Sequence, residues 1–167
     1  MSKLPPFATL VPNYPVDHDA DKVKSGIGGA VDADWITNTC VVRVSKAFNY
    51  AGKTYEIPRK SSGLLTVKGG DQKNYAIRVQ EFIKFLHRKY GAPNVTRSGG
   101  KISVDPFRGH TGIIAWHVRG WNDATGHFTL WDGAKGLYEG DHHYFQLPTE
   151  KPEEGGPWLT KVELWYC

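Results

Sequence analysis

The sequence predicts an α+β domain in which helices come first and an antiparallel sheet follows. Three observations carry this reading. Apolar residues recur at helical spacing in two stretches of the first ninety residues, Val41 to Phe48 and Val79 to Tyr90. From Gly112 onward the pattern changes to short runs rich in β-branched and aromatic residues, separated by Asn, Asp and Gly turns. The composition agrees: 13% aromatics, 19 Gly and 10 Pro favour sheet and turns over a helical bundle.

The elements follow in order. Residues 1–24 are polar and Pro-rich and read as an extended arm with at most a short helical turn. Ser25 to Ala30 is a glycine-dense loop that lacks the Gly-Lys-Ser/Thr ending of a phosphate loop. A first helix covers 39–50, with Val41, Val44 and Phe48 forming a stripe buried on one face. Gly52 ends it. Residues 53–70 read as loop, with a short extended piece at Leu64–Val67. A second helix is capped by Asp71 and runs to Tyr90; Val79, Phe82, Ile83, Leu86 and Tyr90 form its apolar stripe. Gly91 and Pro93 stop it. Arg78, Lys84 and Arg88 read as solvated charges, and His87 as a structural side chain. Residues 94–111 read as loop. Strands are expected at Gly112–Val118, His127–Trp131, His143–Leu147 and Trp158–Tyr166, the first two joined as a hairpin through Asn122–Gly126.

Length and charge bound the function. A chain of 167 residues with 40% hydrophobic and 23% charged residues fits one domain spanning 1–167. A net charge of +4 suits an anionic partner. The basic residues are dispersed, however, and no nucleic-acid-binding signature occurs. No apolar run is long enough to span a membrane. Met1–Pro6 lacks the apolar core of a signal peptide, so synthesis in the cytoplasm is expected. Cys40 and Cys167 make no disulfide framework, and Cys167, at the very end, is expected to be mobile.

Cys40 is the residue most open to a chemical role. Thr37, Asn38 and Thr39 are N-cap formers, and Asn38 or Thr39 would place Cys40 in the first turn of the first helix. Amides there have no intrahelical acceptor and stabilise a thiolate. On position alone, a nucleophile and a small buried residue remain equally open readings. Of seven histidines, His127 is the best base: it follows Gly126, opens a strand and can be held in one orientation. Asp132, Glu139 and Asp141 lie downstream and could orient its other nitrogen. A helix-borne Cys facing a later strand-borne His is the papain-like layout. No metal is expected, because no His-x-x-x-His or Cys-x-x-Cys pair occurs and the adjacent His142 and His143 would point to opposite faces of a strand. No Gly-x-Ser-x-Gly elbow occurs either.

Four blocks carry a family resemblance: Asn38-Thr39-Cys40-Val41-Val42-Arg43-Val44-Ser45 with Asn49-Tyr50-Ala51-Gly52; Val67-Lys68-Gly69-Gly70-Asp71 with Tyr75-Ala76-Ile77-Arg78-Val79; Gly112-Ile113-Ile114 with Gly120-Trp121; and Gly126-His127-Phe128-Thr129-Leu130-Trp131-Asp132-Gly133. In order and spacing they resemble the type VI secretion amidase effectors of the fourth family, which belong to the NlpC/P60-like papain-fold peptidases. The resemblance implies a nucleophile helix packed on an antiparallel sheet. It also implies a cysteine peptidase that cuts the γ-D-glutamyl–meso-diaminopimelate bond of peptidoglycan stem peptides in rival bacteria. Cys40 matches the nucleophile and His127 the base. Asp141 best fits the place of the third residue, ahead of Glu139 and of Asp132, which belongs to a turn. The resemblance further implies delivery by type VI secretion carrier proteins into the periplasm of the target cell, a cognate immunity protein that blocks the cleft, and no cofactor. Trp35, Trp121 and Trp131 are candidates either for the cleft or for the core. The alternative function is a non-catalytic cell-wall-binding or interaction domain with the same shape.

Overall fold

A computed structural model of the chain describes residues 2–60, 63–135 and 144–167. Its elements run α1 (Phe7–Leu10), α2 (Ala20–Ile27), α3 (Cys40–Tyr50), β1 (Thr66–Lys68), β2 (Asn74–Ala76), α4 (Val79–Tyr90), β3 (Val95–Ser98), β4 (Thr111–Arg119), β5 (Gly126–Asp132) and β6 (Trp158–Tyr166). Strands β3, β6, β4 and β5 pair in that order into an antiparallel sheet, while β1 and β2 form a separate hairpin. Among the described residues no helix is long and apolar enough to cross a membrane.

Helix α3 packs against β5, the end strand of the sheet, and against β2. Nine of its eleven residues are buried, so the expectation of one buried face is corrected. Val41, Val44, Ala47 and Phe48 join the main core, and Val42 joins a second cluster with Val23, Ile27, Val31, Ile36 and Tyr75. The polar residues of the remaining face find partners. The Ser45 hydroxyl accepts the Ala76 N–H at 3.1 Å. The Asn49 side chain donates to the Asn74 carbonyl at 2.8 Å and accepts the Ile57 N–H at 2.9 Å. Hydrogen bonds to these buried polar side chains keep such a helix stable in the interior.

Helix α4 starts at Val79, not at Asp71. Residues 74–76 extend instead and pair with 66–68, because hairpin pairing outweighs a cap that would need a longer helix. The Asp71 carboxylate serves the hairpin turn, accepting from the Tyr75 hydroxyl at 2.6 Å, the Tyr50 hydroxyl at 2.8 Å and the Lys73 N–H at 3.0 Å. Gly91 ends α4 at φ 89°, a conformation glycine adopts without penalty.

Phe82 joins these layers. Its ring lies 6.0 Å from Phe48 of α3, 5.6 Å from Phe85 and 5.2 Å from Phe128 of β5. It is fully buried, so Phe82→Ala is expected to cost about 3–5 kcal/mol. Denaturant unfolding checks this, and a change below about 1 kcal/mol would remove Phe82 from the centre of the core.

The sheet separates two apolar layers. Ile113, Ala115, Phe128, Leu130 and Trp165 face the helices, while Ile114, Trp116, Val118, Trp131, Val162 and Leu164 form a cluster on the other side with Phe107 and Ile102. The alternation is the period-2 signature of strands buried on both faces. A charged cluster also lies under α4. Glu163 of β6 is 2% exposed; its carboxylate takes His117 Nε2 at 2.5 Å, His87 Nε2 at 3.1 Å and Lys161 Nζ at 3.2 Å. Burial pushes this carboxyl up, but the hydrogen bond and charge of His117, with Lys161, outweigh it and hold the group down at about 2. A folded-state value below the ordinary 4.5 means the stabilisation is complete above 4.5 and lost as pH falls towards 2. Glu163→Gln is therefore expected to lower stability at pH 7 by about 2 kcal/mol, with the gap to wild type closing between pH 4.5 and 2. Melting curves across that range test it; a gap independent of pH would contradict the assignment.

Four further expectations are corrected. The first 24 residues are not extended. They hold α1, a 3-10 turn at Val11–Asn13 and the start of α2, which Asp19 caps by accepting the N–H groups of Asp21 and Lys22. The stretch 94–111 contains β3, recruited by β6, and a 3-10 turn at Asp105–Phe107. Tyr144–Leu147 forms a turn, closed by Leu147 N–H to the Tyr144 carbonyl at 3.1 Å, and not a strand. Cys167 is also not a loose end. Its N–H donates to the Thr111 carbonyl at 3.1 Å, and burial pushes its thiol up to about 12.

Candidate active site

A cleft of about 340 Å³ opens at the N-terminus of α3, where α3 meets β5. Cys40, Asn38, Thr39 and Arg43 line it from α3 and the segment before it. His127 and Tyr144 line it from the sheet side, Trp121, Asp123 and Ala124 from the β4–β5 turn, and His18 and Ala20 from the N-terminal segment. Cys40 and His127, chosen from opposite halves of the chain, thus share one cavity. A second cavity of about 450 Å³ adjoins it through Asn38, Trp121, Asp123 and Ala124 and continues past Arg78 and Gln80. The two cavities thus meet along one wall.

Cys40 is the first residue of α3 and is 4% exposed. Thr39 occupies the N-cap position, yet its side chain does not cap the helix. Its hydroxyl instead accepts Arg43 Nε at 3.2 Å, while Asn38 Oδ1 takes the Cys40 N–H at 3.0 Å. The polar run before the cysteine therefore holds the helix entrance through Asn38 and anchors a cation through Thr39. Other first-turn amides of α3 stay without an intrahelical acceptor at this end of the helix.

His127 sits one residue into β5, directly across from Trp116 of β4. Its ring is 5.8 Å from Trp116 and 5.1 Å, edge to face, from Tyr144. These aromatics fix the plane of the imidazole. A side chain on Gly126 would run into the Trp116 carbonyl and Val79, so what the glycine admits is the neighbouring strand. Asp132 lies at the far end of β5, on the face opposite His127, and its Oδ1 accepts the Ala134 N–H at 3.0 Å. It belongs to the turn. Asp141 and Glu139 lie outside the described residues. Among the described residues no group of three or more His, Cys, Asp or Glu is placed to hold a metal ion.

The tryptophans divide. Trp121 lines both cavities. Trp131 is core, its indole N–H donating to the Phe107 carbonyl at 2.8 Å, and Trp35 is 63% exposed and lines neither cavity. His18, Arg43, Asp123 and Tyr144 were not singled out by their sequence. Arg43 alone had a local signal, since it lies within the cysteine block. His18 is brought in by distant bonds: Arg43 Nη1 donates to the Pro15 and Asp17 carbonyls at 3.0 and 2.5 Å, and Tyr14 and Thr129 hydroxyls meet at 3.1 Å.

Comparison with known proteins gives one answer. A family model described as type VI secretion system (T6SS), amidase effector protein 4, matches residues 36–157. The crystal structure of Tae4 from Salmonella typhimurium, solved with the immunity protein Tai4 from Enterobacter cloacae, superposes with a TM-score of 0.81 at 29% identity, covering 98% of this chain and 99% of that one. The Tae4–Tai4 complex from Enterobacter cloacae gives 0.78 at 30% identity, with 98% of each chain covered. Tae4 from Enterobacter cloacae alone gives 0.79 at 29%, with 99% of each covered. A search of curated proteins finds no match. The α+β, papain-like architecture read from the sequence is thus the one found. With a family model matching residues 36–157 and the fold matching these effectors over nearly the whole length, the chain belongs to the family of type VI secretion amidase effector protein 4.

Proposed function

We propose that this amidase effector is a cysteine-dependent peptidoglycan hydrolase of the NlpC/P60 type that cuts the γ-D-glutamyl–meso-diaminopimelate bond of stem peptides. The observation that carries the cysteine mechanism is the shared cleft, with Cys40 at a helix N-terminus and His127 on the facing strand. His127 removes the Sγ proton and the thiolate attacks the γ-glutamyl carbonyl. The carbonyl becomes an oxyanion beside the start of α3. The Cys40 N–H is held by Asn38 Oδ1 at rest, so its use as an oxyanion donor requires Asn38 to yield as the intermediate forms. His127 then protonates the departing amine, a thioester remains on Cys40, and water hydrolyses it. Asp141 is assigned as the residue that orients the His127 ring, by family resemblance.

The same reading places the protein in competition between bacteria. It leaves the producing cell with carrier proteins of the secretion apparatus, acts in the periplasm of the target cell, and is blocked by a cognate immunity protein seated on the cleft. Related Tae4 effectors crystallise in complex with the immunity protein Tai4. The net charge of +4 favours approach to a carboxylate-bearing polymer. Digestion of purified peptidoglycan followed by mass spectrometry tests the bond. New fragments ending in free γ-D-glutamate, with a new amine on diaminopimelate, are expected. Fragments cut elsewhere in the stem overturn the bond assignment, and an unchanged profile supports a non-catalytic wall-binding domain instead.

A further inference from the structure

Arg43 carries a positive charge that no carboxylate of the described residues compensates. The residue is 8% exposed, yet each of its acceptors is neutral: the Thr39 hydroxyl for Nε, and the Pro15 and Asp17 carbonyls for Nη1. No carboxylate pairs with it among the described residues, and Nη2 makes no hydrogen bond there. Nη2 is not sealed in the interior either, and Arg43 lines the Cys40 cleft. A cation withdrawn from water and given no anion is costly unless an anion arrives. With Nε and Nη1 occupied, Nη2 is left to donate, and a carboxylate that reaches it gains a charge-assisted hydrogen bond.

The position selects which carboxylate. Arg43 stands three residues after Cys40 on α3, so their side chains are neighbours on one helix face, about 5–6 Å apart at Cβ. A γ-linked glutamyl residue differs from an α-linked one in keeping its α-carboxylate free, a few bonds from the scissile carbonyl on the acyl side. With that carbonyl at Sγ, the carboxylate falls within one helical turn of the nucleophile. We propose that Arg43 is the recognition residue for the free α-carboxylate of a γ-linked D-glutamyl substrate, and that it sets the preference for γ-linked acid over amidated peptide. This rests on the amidase reading above. Thr39 and the Pro15 and Asp17 carbonyls hold the guanidinium in place for this task, and His18 completes the same wall.

The test uses two synthetic stem peptides that differ only in an α-carboxylate or an α-carboxamide on the γ-linked D-glutamyl residue. Wild-type protein is expected to show kcat/KM about 10–100-fold lower on the amide, the scale of a lost charge-assisted hydrogen bond. Arg43→Gln is expected to lose this ratio by slowing on the acid alone, and Arg43→Lys, which keeps the charge without the fork, to retain part of it. An arginine that only anchors the N-terminal segment predicts both peptides slowed alike in Arg43→Gln, with the wild-type ratio preserved, and that result overturns the proposal. Equal rates on the two peptides with wild-type protein overturn it as well, without any need for a folded variant. If wild-type protein cleaves neither peptide, it is the amidase reading itself that fails, and this assignment with it.

Discussion

Cys40→Ala protein is expected to release no stem-peptide fragments from purified peptidoglycan, a loss on the order of 10⁴-fold or more in kcat/KM. The chemistry has no other route in this cleft. Among the described residues lining it, Cys40 is the only sulfur nucleophile, and a hydroxyl without its own activating base is far weaker at neutral pH. The same variant is expected to abolish toxicity when the protein is directed to the periplasm. The structural effect should be small, since Cys40 is a small side chain at the rim of the main core and alanine keeps its Cβ. Melting within a few degrees of wild type is therefore the control. Identical muropeptide profiles from wild type and Cys40→Ala would end the catalytic assignment and leave a binding domain of papain-like shape.

His127→Gln is expected to lower kcat by about 10³–10⁴-fold with a much smaller change in KM, because it removes proton transfer and leaves the cleft intact. It also predicts a changed pH profile. Without a base, the nucleophile forms only as solvent or hydroxide removes the proton, so the residual rate is expected to rise with hydroxide concentration in a way the wild-type rate does not. A purely structural imidazole, wedged between Trp116 and Tyr144, would give a variant with lower stability and an unchanged pH profile. Assaying fragment release against pH separates the two outcomes.

Much of this protein is legible locally. The α3 segment, the β4 and β5 hairpin and β6 lie where periodicity and turn residues place them, within a residue or two. The long helix keeps its end at Tyr90 but loses its predicted start, because Asp71 looks like a cap only until residues 66–68 arrive to pair with 74–76. A strand of four residues such as Val95–Ser98 has no pattern of its own and exists because β6 offers an edge. The site divides in the same way. Cys40 and His127 are conspicuous from their helix-start and strand-start positions. Arg43 is not: an arginine on an amphipathic helix reads as a solvated charge until the segment around Pro15 and Asp17 folds over it.

The sequence by itself determined that α3, β4, β5 and β6 form, where the thiol sits on its helix, and which family the chain resembles. Those properties depend on caps, periodicity and short motifs, all set by residues within a turn or a strand of one another. Only the tertiary structure decided that α3 is buried nearly all round, that the N-terminal segment supplies a wall of the cleft, and that Arg43 lines that cleft with no carboxylate partner among the described residues. Each rests on contacts across many residues, such as Tyr14 with Thr129, 115 positions apart. Packing free energy summed over the whole chain selects such contacts, and no local window of sequence contains it.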